Sequence, residues 1–375
     1  MREDEHIIFM RRSLELAVLG AGRVSPNPLV GALLVRHGEI IGEGYHRHFG
    51  APHAEVEAIR SVADERQLHE ATLYVTLEPC CHVGKTPPCS DLIVEKGIPR
   101  VVVGCRDPYV EVAGQGIAKL QAAGVAVTEG VLEAECRKMN EPFIKSHTTG
   151  LPFVAIKLAQ TLDGKIATSL GASHWITGPE ARREVHRLRS IYDAVLVGEA
   201  TVRADDAHLT VRECSGRNPL RVVLDRQLHL SLEAKIFDAE APTILFASSS
   251  WQRLPKVELL QKQGVTLHFV DEHAGGLDLR QVLEELHRRG VLSVMVEGGS
   301  RLAASLLRNR LADKMMIFIA PKFFGADGLS AVAPLGINLP DQALTVRFEP
   351  PQFYGHDVQL EAYIQYPETT CSPTG

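Results

Sequence analysis

Three short segments of the sequence carry the residue types of a catalytic zinc centre. A catalytic zinc ion takes three protein ligands from nitrogen and sulfur donors and leaves a fourth position open for water. His53, Cys80 and Cys89 supply such a set, and the metal would lower the pKa of the bound water towards neutrality. Glu55, two residues after His53, is the carboxylate that could carry a proton from this water to a leaving group. The sequence therefore predicts hydrolytic zinc chemistry with Glu55 as its catalytic residue.

Simpler interpretations of these residues remain open. His53 and Glu55 taken alone are also typical of polar residues on a surface helix. The two cysteines could belong to a closed structural zinc site with His82 or Cys81 as the fourth ligand, but Glu55 would then have no role. We interpret Cys81 as a bystander beside a catalytic site. Lys85 is equally well explained as a solvated loop charge and as a phosphate contact.

The spacing between the two cysteines departs from the general pattern of base-modifying zinc deaminases, in which H-x-E is followed by P-C-x-x-C. Here Cys89 lies nine residues after Cys80, and the loop between them contains a glycine, a lysine and a Pro-Pro pair. This loop resembles the deaminase of riboflavin biosynthesis more than the deaminases of cytidine or nucleic acids. Residues 25–31, Ser-Pro-Asn-Pro-Leu-Val-Gly, are similar to the substrate-side motif of the same family. The resemblance implies that Asn27 hydrogen-bonds the base.

The second half of the chain carries weaker motifs. No G-x-G-x-x-G follows a first strand and no Walker loop is present, which argues against a Rossmann dinucleotide fold and a P-loop nucleotidase. The turn Glu297-Gly-Gly-Ser300 ends a strand pattern and opens a helix pattern, where glycines allow a ligand to approach and free N–H groups bind phosphate. The same turn is also an ordinary strand–helix junction. Trp175 alone is more typical of packing than of a cofactor contact.

Together, the segments between Lys157 and Lys322 resemble the reductase domain of riboflavin biosynthesis, and they follow the order of that family. With the deaminase motifs, the resemblance to the bifunctional deaminase–reductase family covers nearly the whole chain. It implies that a phosphoribosylamino substrate is bound by Ser173, Arg189, Leu209, Arg212 and Glu297. It implies that NADPH is bound by Ala159, Trp175, Thr201, Asp205, Gly299, Ser300, Arg301, Leu302, Ala303, Ala304 and Ser305. The two arginines of the first set suit the substrate phosphate.

Two positions depart from this family. Arg226, the residue after Asp225, stands where the family often has serine. It could change the grip on the cofactor or meet its 2′-phosphate, so the preference for NADPH over NADH rests on the resemblance alone. Thr161 stands where serine is common, which is a milder change. The proton donor of the reduction is left open between Lys157 and Asp205.

Helical and strand-like hydrophobic periods alternate around these motifs, which predicts α/β layers. Strands are predicted near residues 29–35, 39–44, 72–76, 100–103, 153–158, 194–197, 220–224, 243–246, 266–270, 292–296, 314–320 and 344–366. Helices are predicted near residues 6–19, 91–96, 179–189, 277–289 and 300–309, and from His53, and a further helix and strand are predicted within residues 116–127. Turn residues around 145–152 predict two domains, residues 1–147 and 148–375. With the resemblance, the expected fold is a three-layer α/β/α cytidine deaminase-like domain followed by a dihydrofolate reductase-like α/β domain.

The composition limits the function classes. Hydrophobic residues make up 45% of the 375 residues and charged residues 23%, which is typical of globular domains. The net charge of −6 argues against a general nucleic-acid binder, and no apolar stretch is long enough for a membrane helix. The odd count of seven cysteines fits a metal site with bystander thiols better than a disulfide framework. Because the N-terminus has no secretory pattern, we expect a cytoplasmic protein.

The resemblance implies two reactions. The first is zinc-dependent hydrolytic deamination of 2,5-diamino-6-(5-phosphoribosylamino)pyrimidin-4(3H)-one to 5-amino-6-(5-phosphoribosylamino)uracil, and the second is NADPH-dependent reduction of the ribosyl group to ribityl. The expected partners are this small-molecule substrate, no nucleic acid, no membrane, and further copies of the chain in a dimer or tetramer. Three alternatives are an RNA-base deaminase, a deaminase with an inactive second domain, and a zinc-stabilised binding module without catalysis.

Overall fold

Two compact units, Met1–Leu151 and Pro152–Gly375, make up the chain. The computed structural model describes residues 3–81, 87–109, 113–273 and 275–367. Among the helices within these ranges, none is long and apolar enough to cross a lipid bilayer.

The division between the units lies beyond the boundary expected after residue 147. That position falls inside the helix Glu141–Thr149, which ends at Gly150 with a left-handed φ of 70°. The hydroxyl groups of Thr148 and Thr149 donate to carbonyl groups one turn earlier, at Ile144 and Lys145. These residues, which suggest a loop by type, therefore extend the helix by hydrogen bonding back onto it.

Helices and strands alternate in the first unit, as the sequence periods predict. Its helices are α1 (Glu3–Val18), α2 (Ala54–Arg60), α3 (Cys89–Glu95), α4 (Gln115–Ala122), α5 (Glu133–Met139) and α6 (Glu141–Thr149). Its strands are β1 (Gly31–Arg36), β2 (Glu39–Tyr45), β3 (Thr72–Leu77), β4 (Arg100–Cys105) and β5 (Ala126–Glu129). The strand order is β2-β1-β3-β4-β5. Strand β1 is antiparallel to β2 and β3, and β3, β4 and β5 are parallel.

Helices cover both faces of this sheet. One face buries apolar side chains such as Val75 and Val103 against α2, α3 and α4. The opposite face packs against α1, where the rings of Phe9 and Tyr74 have centroids 5.3 Å apart. Strand β2 approaches α2 so closely that a Cβ on Gly44 would lie 2.3 Å from a backbone nitrogen of the helix. This contact holds α2 close to the sheet, and with it His53, the residue before the helix.

A larger mixed sheet forms the second unit. Its helices are α7 (Pro179–Ile191), α8 (Glu199–Asp205), α9 (Pro255–Lys262), α10 (Leu279–Arg288) and α11 (Ser300–Arg308). Its strands are β6 (Phe153–Thr161), β7 (Lys165–Ala167), β8 (Ala194–Gly198), β9 (Leu220–Leu224), β10 (Thr243–Ser248), β11 (Thr266–Val270), β12 (Glu272–His273), β13 (Gly276–Leu277), β14 (Ser293–Val296), β15 (Lys314–Ala320), β16 (Leu329–Ser330), β17 (Thr345–Phe348), β18 (Gln352–Tyr354) and β19 (Asp357–Gln365).

The main sheet has the strand order β11-β10-β9-β8-β14-β6-β15-β19-β17, with β18 also paired to β19. In this order, the first seven strands, β11-β10-β9-β8-β14-β6-β15, are parallel to one another. Strand β19 is antiparallel to β15. One face packs with α7, α8 and α9 around side chains such as Val195 and Leu245. Helix α10 lies on the other face, where His268 contacts Glu285 at 3.3 Å. Parallel strands of this kind bring functional groups together at their carboxyl ends.

Candidate active sites

The predicted zinc ligands lie together in the first unit. His53 is the residue before α2, Cys80 follows β3, and Cys89 begins α3. Nδ1 of His53 is 3.6 Å from Sγ of Cys80 and 3.3 Å from Sγ of Cys89, and the three donor atoms lie within 4.8 Å of one another. Tetrahedral zinc with bond lengths near 2.0 and 2.3 Å needs donors roughly 3.5 Å apart. The donor set and its spacing therefore fit a zinc ion.

Glu55 lies beside this cluster in the first turn of α2 and is only 3% exposed. Burial raises the pKa of its carboxyl group to about 6, and the neighbouring Cys80 acts in the same direction. A zinc ion next to Glu55 would act in the opposite direction. The carboxyl group is not part of the His53–Cys80–Cys89 donor cluster, so it is available to move a proton.

Asn27, the predicted base contact, is oriented by a buried histidine that the sequence analysis missed. Nδ1 of His46 lies 3.0 Å from the carbonyl oxygen of Pro52, which can only accept, so Nδ1 carries the proton. Nε2 of the neutral ring then accepts from the Asn27 amide nitrogen at 3.0 Å. Burial lowers the pKa of His46, in keeping with a neutral ring. The amide oxygen of Asn27 is thereby left to accept a hydrogen bond from a ligand.

A second missed residue, Glu78, anchors the segment that leads into Cys80. Its buried carboxylate accepts the backbone N–H groups of Asp107 at 3.2 Å, Gly114 at 2.9 Å and Ile117 at 3.1 Å. These donors belong to the loop and first turn of α4, whose N-terminus favours a negative charge. Glu78 therefore holds the end of β3, and Cys80 after it, against α4.

Of the three residues discussed beside the predicted zinc ligands, only Cys81 lies within the described part of the chain. Cys81 is half-buried, and burial raises the pKa of its thiol. It is not part of the donor cluster described above. His82 and Lys85 lie outside the described residues. The roles suggested for His82 and Lys85 from the sequence stay predictions.

In the second unit, Arg189 and Glu297 form a buried ion pair at the carboxyl ends of the parallel strands. Nε and Nη2 of Arg189 donate to the two carboxylate oxygens of Glu297 at 2.6 and 2.9 Å. Its third nitrogen, Nη1, donates to the carbonyl oxygen of Thr210 at 3.1 Å. Burial alone would raise the pKa of Glu297, but the charge and hydrogen bonds of Arg189, together with the neighbouring Lys157 charge, outweigh it and lower that pKa to about 2. Each of the three guanidinium nitrogens of Arg189 thus has a partner within the protein.

Lys157, on β6, lies next to this pair. Its Nζ is 4.0 Å from a carboxylate oxygen of Glu297. Burial lowers the pKa of the Lys157 ammonium group, and the Glu297 charge opposes that effect. Asp205, the other proton-donor candidate, is exposed at the end of α8 and accepts a hydrogen bond from Ser173 at 3.2 Å. Ser173 and Asp205, predicted to bind substrate and cofactor, therefore lie together.

The remaining predicted substrate residues lie on one segment after α8. Leu209 is buried with a left-handed φ of 56°, and Arg212 is exposed.

Trp175, a predicted cofactor contact, is 66% exposed and also has a positive φ of 64°. Its ring stacks against Arg182, whose guanidinium carbon lies 4.2 Å from the ring centre. The backbone carbonyl of Trp175 accepts from Nζ of Lys322 at 2.8 Å. Lys322 and Arg182 thus hold a solvent-facing indole in an unusual backbone conformation.

The start of α11 provides open space for a phosphate-bearing cofactor. Gly299 precedes the helix without a side-chain cap, and a Cβ placed on it would meet nothing within 4 Å. A Cβ on Gly298 would instead lie 2.6 Å from the Leu302 side chain. The start of a nine-residue helix without a side-chain cap is a kind of site that binds phosphate groups.

Other residues of the predicted cofactor set have different surroundings. Ser300, Ala303 and Ala304 are buried in α11, whereas Arg301 is exposed. The half-buried members of the set are Ala159, Thr201, Leu302 and Ser305. Backbone groups of α11 are therefore better placed for a ligand than the side chains of its buried alanines.

Comparison with known proteins agrees with both halves of the chain. Residues 3–105 match the family described as the cytidine and deoxycytidylate deaminase zinc-binding region, and residues 152–360 match the RibD C-terminal domain. The riboflavin biosynthesis protein RibD of Aquifex aeolicus (strain VF5) is 43% identical over 354 residues, which cover 94% of this chain and 96% of that protein. The chain belongs to the RibD family. RibD of Escherichia coli (strain K12) is 38% identical over 376 residues, covering 96% of this chain and 98% of that protein.

Solved structures of RibD proteins have the same architecture. The crystal structure of a diaminohydroxyphosphoribosylaminopyrimidine deaminase/5-amino-6-(5-phosphoribosylamino)uracil reductase from Thermotoga maritima has a TM-score of 0.86 and 42% identity, covering 97% of this chain and 99% of that chain. Acinetobacter baumannii RibD has a TM-score of 0.87 and 34% identity, covering 97% and 100%. The predicted family and the predicted fold of both domains are thereby confirmed. The chain is a bifunctional riboflavin biosynthesis enzyme with a zinc-binding deaminase domain and an NADPH-dependent reductase domain.

Two departures from the common RibD residues have local partners. Nη1 of Arg226 pairs with Glu272 at 3.2 Å and donates to the carbonyl oxygen of Gly275 at 2.9 Å. The Arg226 guanidinium group therefore has an acidic partner and a carbonyl partner within the protein. The Thr161 hydroxyl donates to Asp163 at 2.5 Å and accepts the Lys165 N–H at 3.0 Å. Threonine at position 161 thus holds the turn after β6 through its hydroxyl group, which serine also has.

Proposed function

We propose that the first unit deaminates 2,5-diamino-6-(5-phosphoribosylamino)pyrimidin-4(3H)-one and that the second reduces the resulting 5-amino-6-(5-phosphoribosylamino)uracil to its ribityl form. The observation that carries the proposal is the buried Glu55 carboxyl group beside, but outside, a three-donor zinc cluster. A closed structural site would need no such carboxyl group. The substrate is named after the activity by which the Thermotoga maritima relative is described.

Deamination exchanges an amino group of the pyrimidine ring for oxygen. Zinc held by His53, Cys80 and Cys89 would supply an activated water, as zinc does in hydrolytic sites. In our proposal Glu55 accepts a proton as the water oxygen bonds to ring carbon C2. Glu55 then delivers that proton to the amino group as the C2–N bond breaks and ammonia leaves. The carboxyl group ends in its starting state.

Asn27 is proposed to read the edge of the pyrimidine. Because the Asn27 amide nitrogen donates to His46, the amide oxygen is proposed to accept a hydrogen bond from the substrate. A pyrimidinone with a ring N–H or an amino group presents the matching donor. This orientation favours an amino-pyrimidine substrate over one whose corresponding edge only accepts.

In the second unit, NADPH would supply a hydride to C1′ of the opened ribose. Arg189 has all three guanidinium nitrogens bound within the protein, so the exposed Arg212 is proposed as the phosphate contact. Lys157 is proposed to provide the proton, because its ammonium group is buried beside Glu297 and burial lowers its pKa. The open start of α11 is proposed to receive cofactor phosphates, with Trp175, Thr201 and Asp205 as further contacts.

Assembly and location are proposals of the same kind. We propose a homo-oligomer, a dimer or tetramer, supported by the exposed rings of Phe348 and Phe353 on β17 and β18. Light scattering coupled to gel filtration tests this, and a monomeric mass at micromolar concentration would contradict it.

We propose a cytoplasmic location because the six described cysteines form no disulfide.

A two-stage assay tests the proposed function. Purified protein receives the diaminopyrimidinone phosphoribosyl substrate, ammonia release is measured, and NADPH is then added and its oxidation followed. We expect both signals in the wild type. The variant Glu55→Gln should lose ammonia release and still oxidise NADPH when given the uracil intermediate directly. Silence in both stages from folded, zinc-loaded wild-type protein would exclude the proposed substrate.

A further inference from the structure

Three backbone hydrogen bonds clamp the segment that carries Arg212. The carbonyl oxygen of Thr210 accepts from Arg189 at 3.1 Å, and the N–H of Val211 donates to the Asn218 side chain at 2.8 Å. The N–H of Arg212 donates to Nδ1 of His186 at 3.2 Å. His186 and Arg189 lie three residues apart on α7 and so reach the segment from one face of the helix. The backbone of Arg212 is therefore held by a side chain, and its guanidinium group is left exposed.

The contact requires one protonation state of His186. A backbone N–H can only donate, so Nδ1 must be unprotonated. The other ring nitrogen, Nε2, lies 3.9 Å from a carboxylate oxygen of Glu213. A doubly protonated ring would have no acceptor for the Arg212 N–H, and this end of the clamp would open.

Charged groups on three elements face the imidazole ring. Burial lowers the pKa of His186, and Arg189 on α7 and Arg212 on the clamped segment lower it further. Glu213 on the same segment and Glu297 after β14 raise it. The net direction keeps the ring neutral at neutral pH, so the clamp is closed there and opens only in acid.

We propose that His186 is a positioning residue of the reductase site, whose unprotonated Nδ1 holds the backbone of Arg212 so that its guanidinium group meets the substrate phosphate. The inference rests on the proposed function, because it takes Arg212 as the phosphate contact. It predicts an effect on substrate affinity more than on hydride transfer, because His186 touches neither reacting atom. It also predicts that the affinity weakens in acid, at a pH below the ordinary histidine pKa of about 6.5, because the pKa of His186 is lowered.

The test compares two substitutions at this position. His186→Leu removes the acceptor, and His186→Asn places an amide oxygen near the position of Nδ1 that accepts at every pH. Steady-state reduction of 5-amino-6-(5-phosphoribosylamino)uracil at saturating NADPH gives KM and kcat separately. We expect His186→Leu to raise KM roughly five- to tenfold with kcat changed less than about twofold, and His186→Asn to restore KM. His268→Leu, which removes a histidine from β11 on the opposite face, serves as the matched control.

The pH profile decides the case even where the leucine variant does not fold. As the pH falls below the ordinary histidine pKa of about 6.5 and through the lowered pKa of His186, the KM of the wild type should rise more steeply than that of His186→Asn. The substrate phosphate titrates identically for both proteins, so only the difference between them reports on His186. Parallel profiles, or an unchanged KM in folded His186→Leu, would overturn the inference. Arg212→Ala tests the proposed function by itself: a KM equal to that of the wild type would remove Arg212 from the phosphate site.

Discussion

The buried pair of Arg189 and Glu297 makes the reductase unit vulnerable to loss of either partner. Its two hydrogen bonds are 2.6 and 2.9 Å long, and both side chains are nearly inaccessible. Arg189, with a smaller contribution from Lys157, lowers the pKa of Glu297 from its ordinary 4.5 to about 2. At about 1.36 kcal/mol per pKa unit, this difference corresponds to about 3 kcal/mol of folding free energy. Mutational data for buried pairs give a similar scale, about 3 to 5 kcal/mol for removing one partner.

We therefore expect Glu297→Gln and Arg189→Met each to reduce the unfolding free energy of the second unit by about 3 kcal/mol or more, because each leaves a buried charge unpaired. The double variant Arg189→Met/Glu297→Met should recover part of this loss, since it removes both charges of the pair and leaves only Lys157 without its carboxylate neighbour. It should nevertheless remain inactive as a reductase. Stability and activity would then separate at the same two positions.

Urea unfolding followed by tryptophan fluorescence measures this unit selectively. Both tryptophans, Trp175 and Trp251, lie in the second unit. Glu284→Gln, which removes an exposed partner of Arg280 on α10, is the matched control and should cost less than about 0.5 kcal/mol. Single variants that each cost less than about 1 kcal/mol, with additive effects in the double variant, would refute the reasoning.

The pH dependence gives an independent check with a defined sign. Because the pKa of Glu297 is lower in the folded protein, its contribution is fully present above about pH 5 and is lost as the pH falls towards 2. The wild type should therefore lose about 3 kcal/mol more than the double variant over this range. Equal losses would show that Glu297 contributes no pH-dependent stability.

Three further predictions concern the zinc site, the base contact and the cofactor turn. Chelation should abolish ammonia release and leave NADPH oxidation of supplied uracil intermediate intact, with zinc restoring the first activity. Asn27→Leu should raise the deaminase KM about tenfold without affecting reductase kinetics, because only the proposed base contact is lost. Gly298→Ala should lower the melting temperature of the second unit, since its Cβ would lie 2.6 Å from Leu302, whereas Gly299→Val should leave it unchanged and weaken NADPH binding, measured by fluorescence titration.

Much of the fold follows from local periodicity. The runs that became β3, β4, β8, β9 and β11 are short, apolar and bounded by turn residues, so their positions agree with the structure to within about two residues. Helix α6 was missed because Ser146, His147 and the two threonines after them suggest a loop by type. Helices α8 and α9 were missed for another reason. Both helices are short, and the stretch before α9 follows no hydrophobic period that a sequence window can detect.

The grouping of His53, Cys80 and Cys89 could be predicted because the three residues belong to compact motifs. The residues that orient the predicted site residues could not be predicted, because each contacts a partner that is far away in sequence. His46 meets Asn27 from 19 positions away, Glu78 meets the loop before α4 from up to 39, and His186 meets Arg212 from 26. In the His186 and Glu78 contacts the partner is a backbone N–H group, which every residue other than proline possesses. No residue type at the partner position could therefore have indicated either contact.

The two arginines predicted to bind the substrate phosphate, Arg189 and Arg212, also differ in contacts that the sequence alone does not show. By residue type alone, Arg189 and Arg212 are equivalent candidates. In the structure, the three guanidinium nitrogens of Arg189 donate to Glu297 and to the Thr210 carbonyl oxygen. Arg212 keeps its guanidinium group exposed, but its backbone depends on His186. Substitutions on α7 should therefore change substrate affinity through Arg212, and substitutions at Glu297 should act first on the stability of the unit.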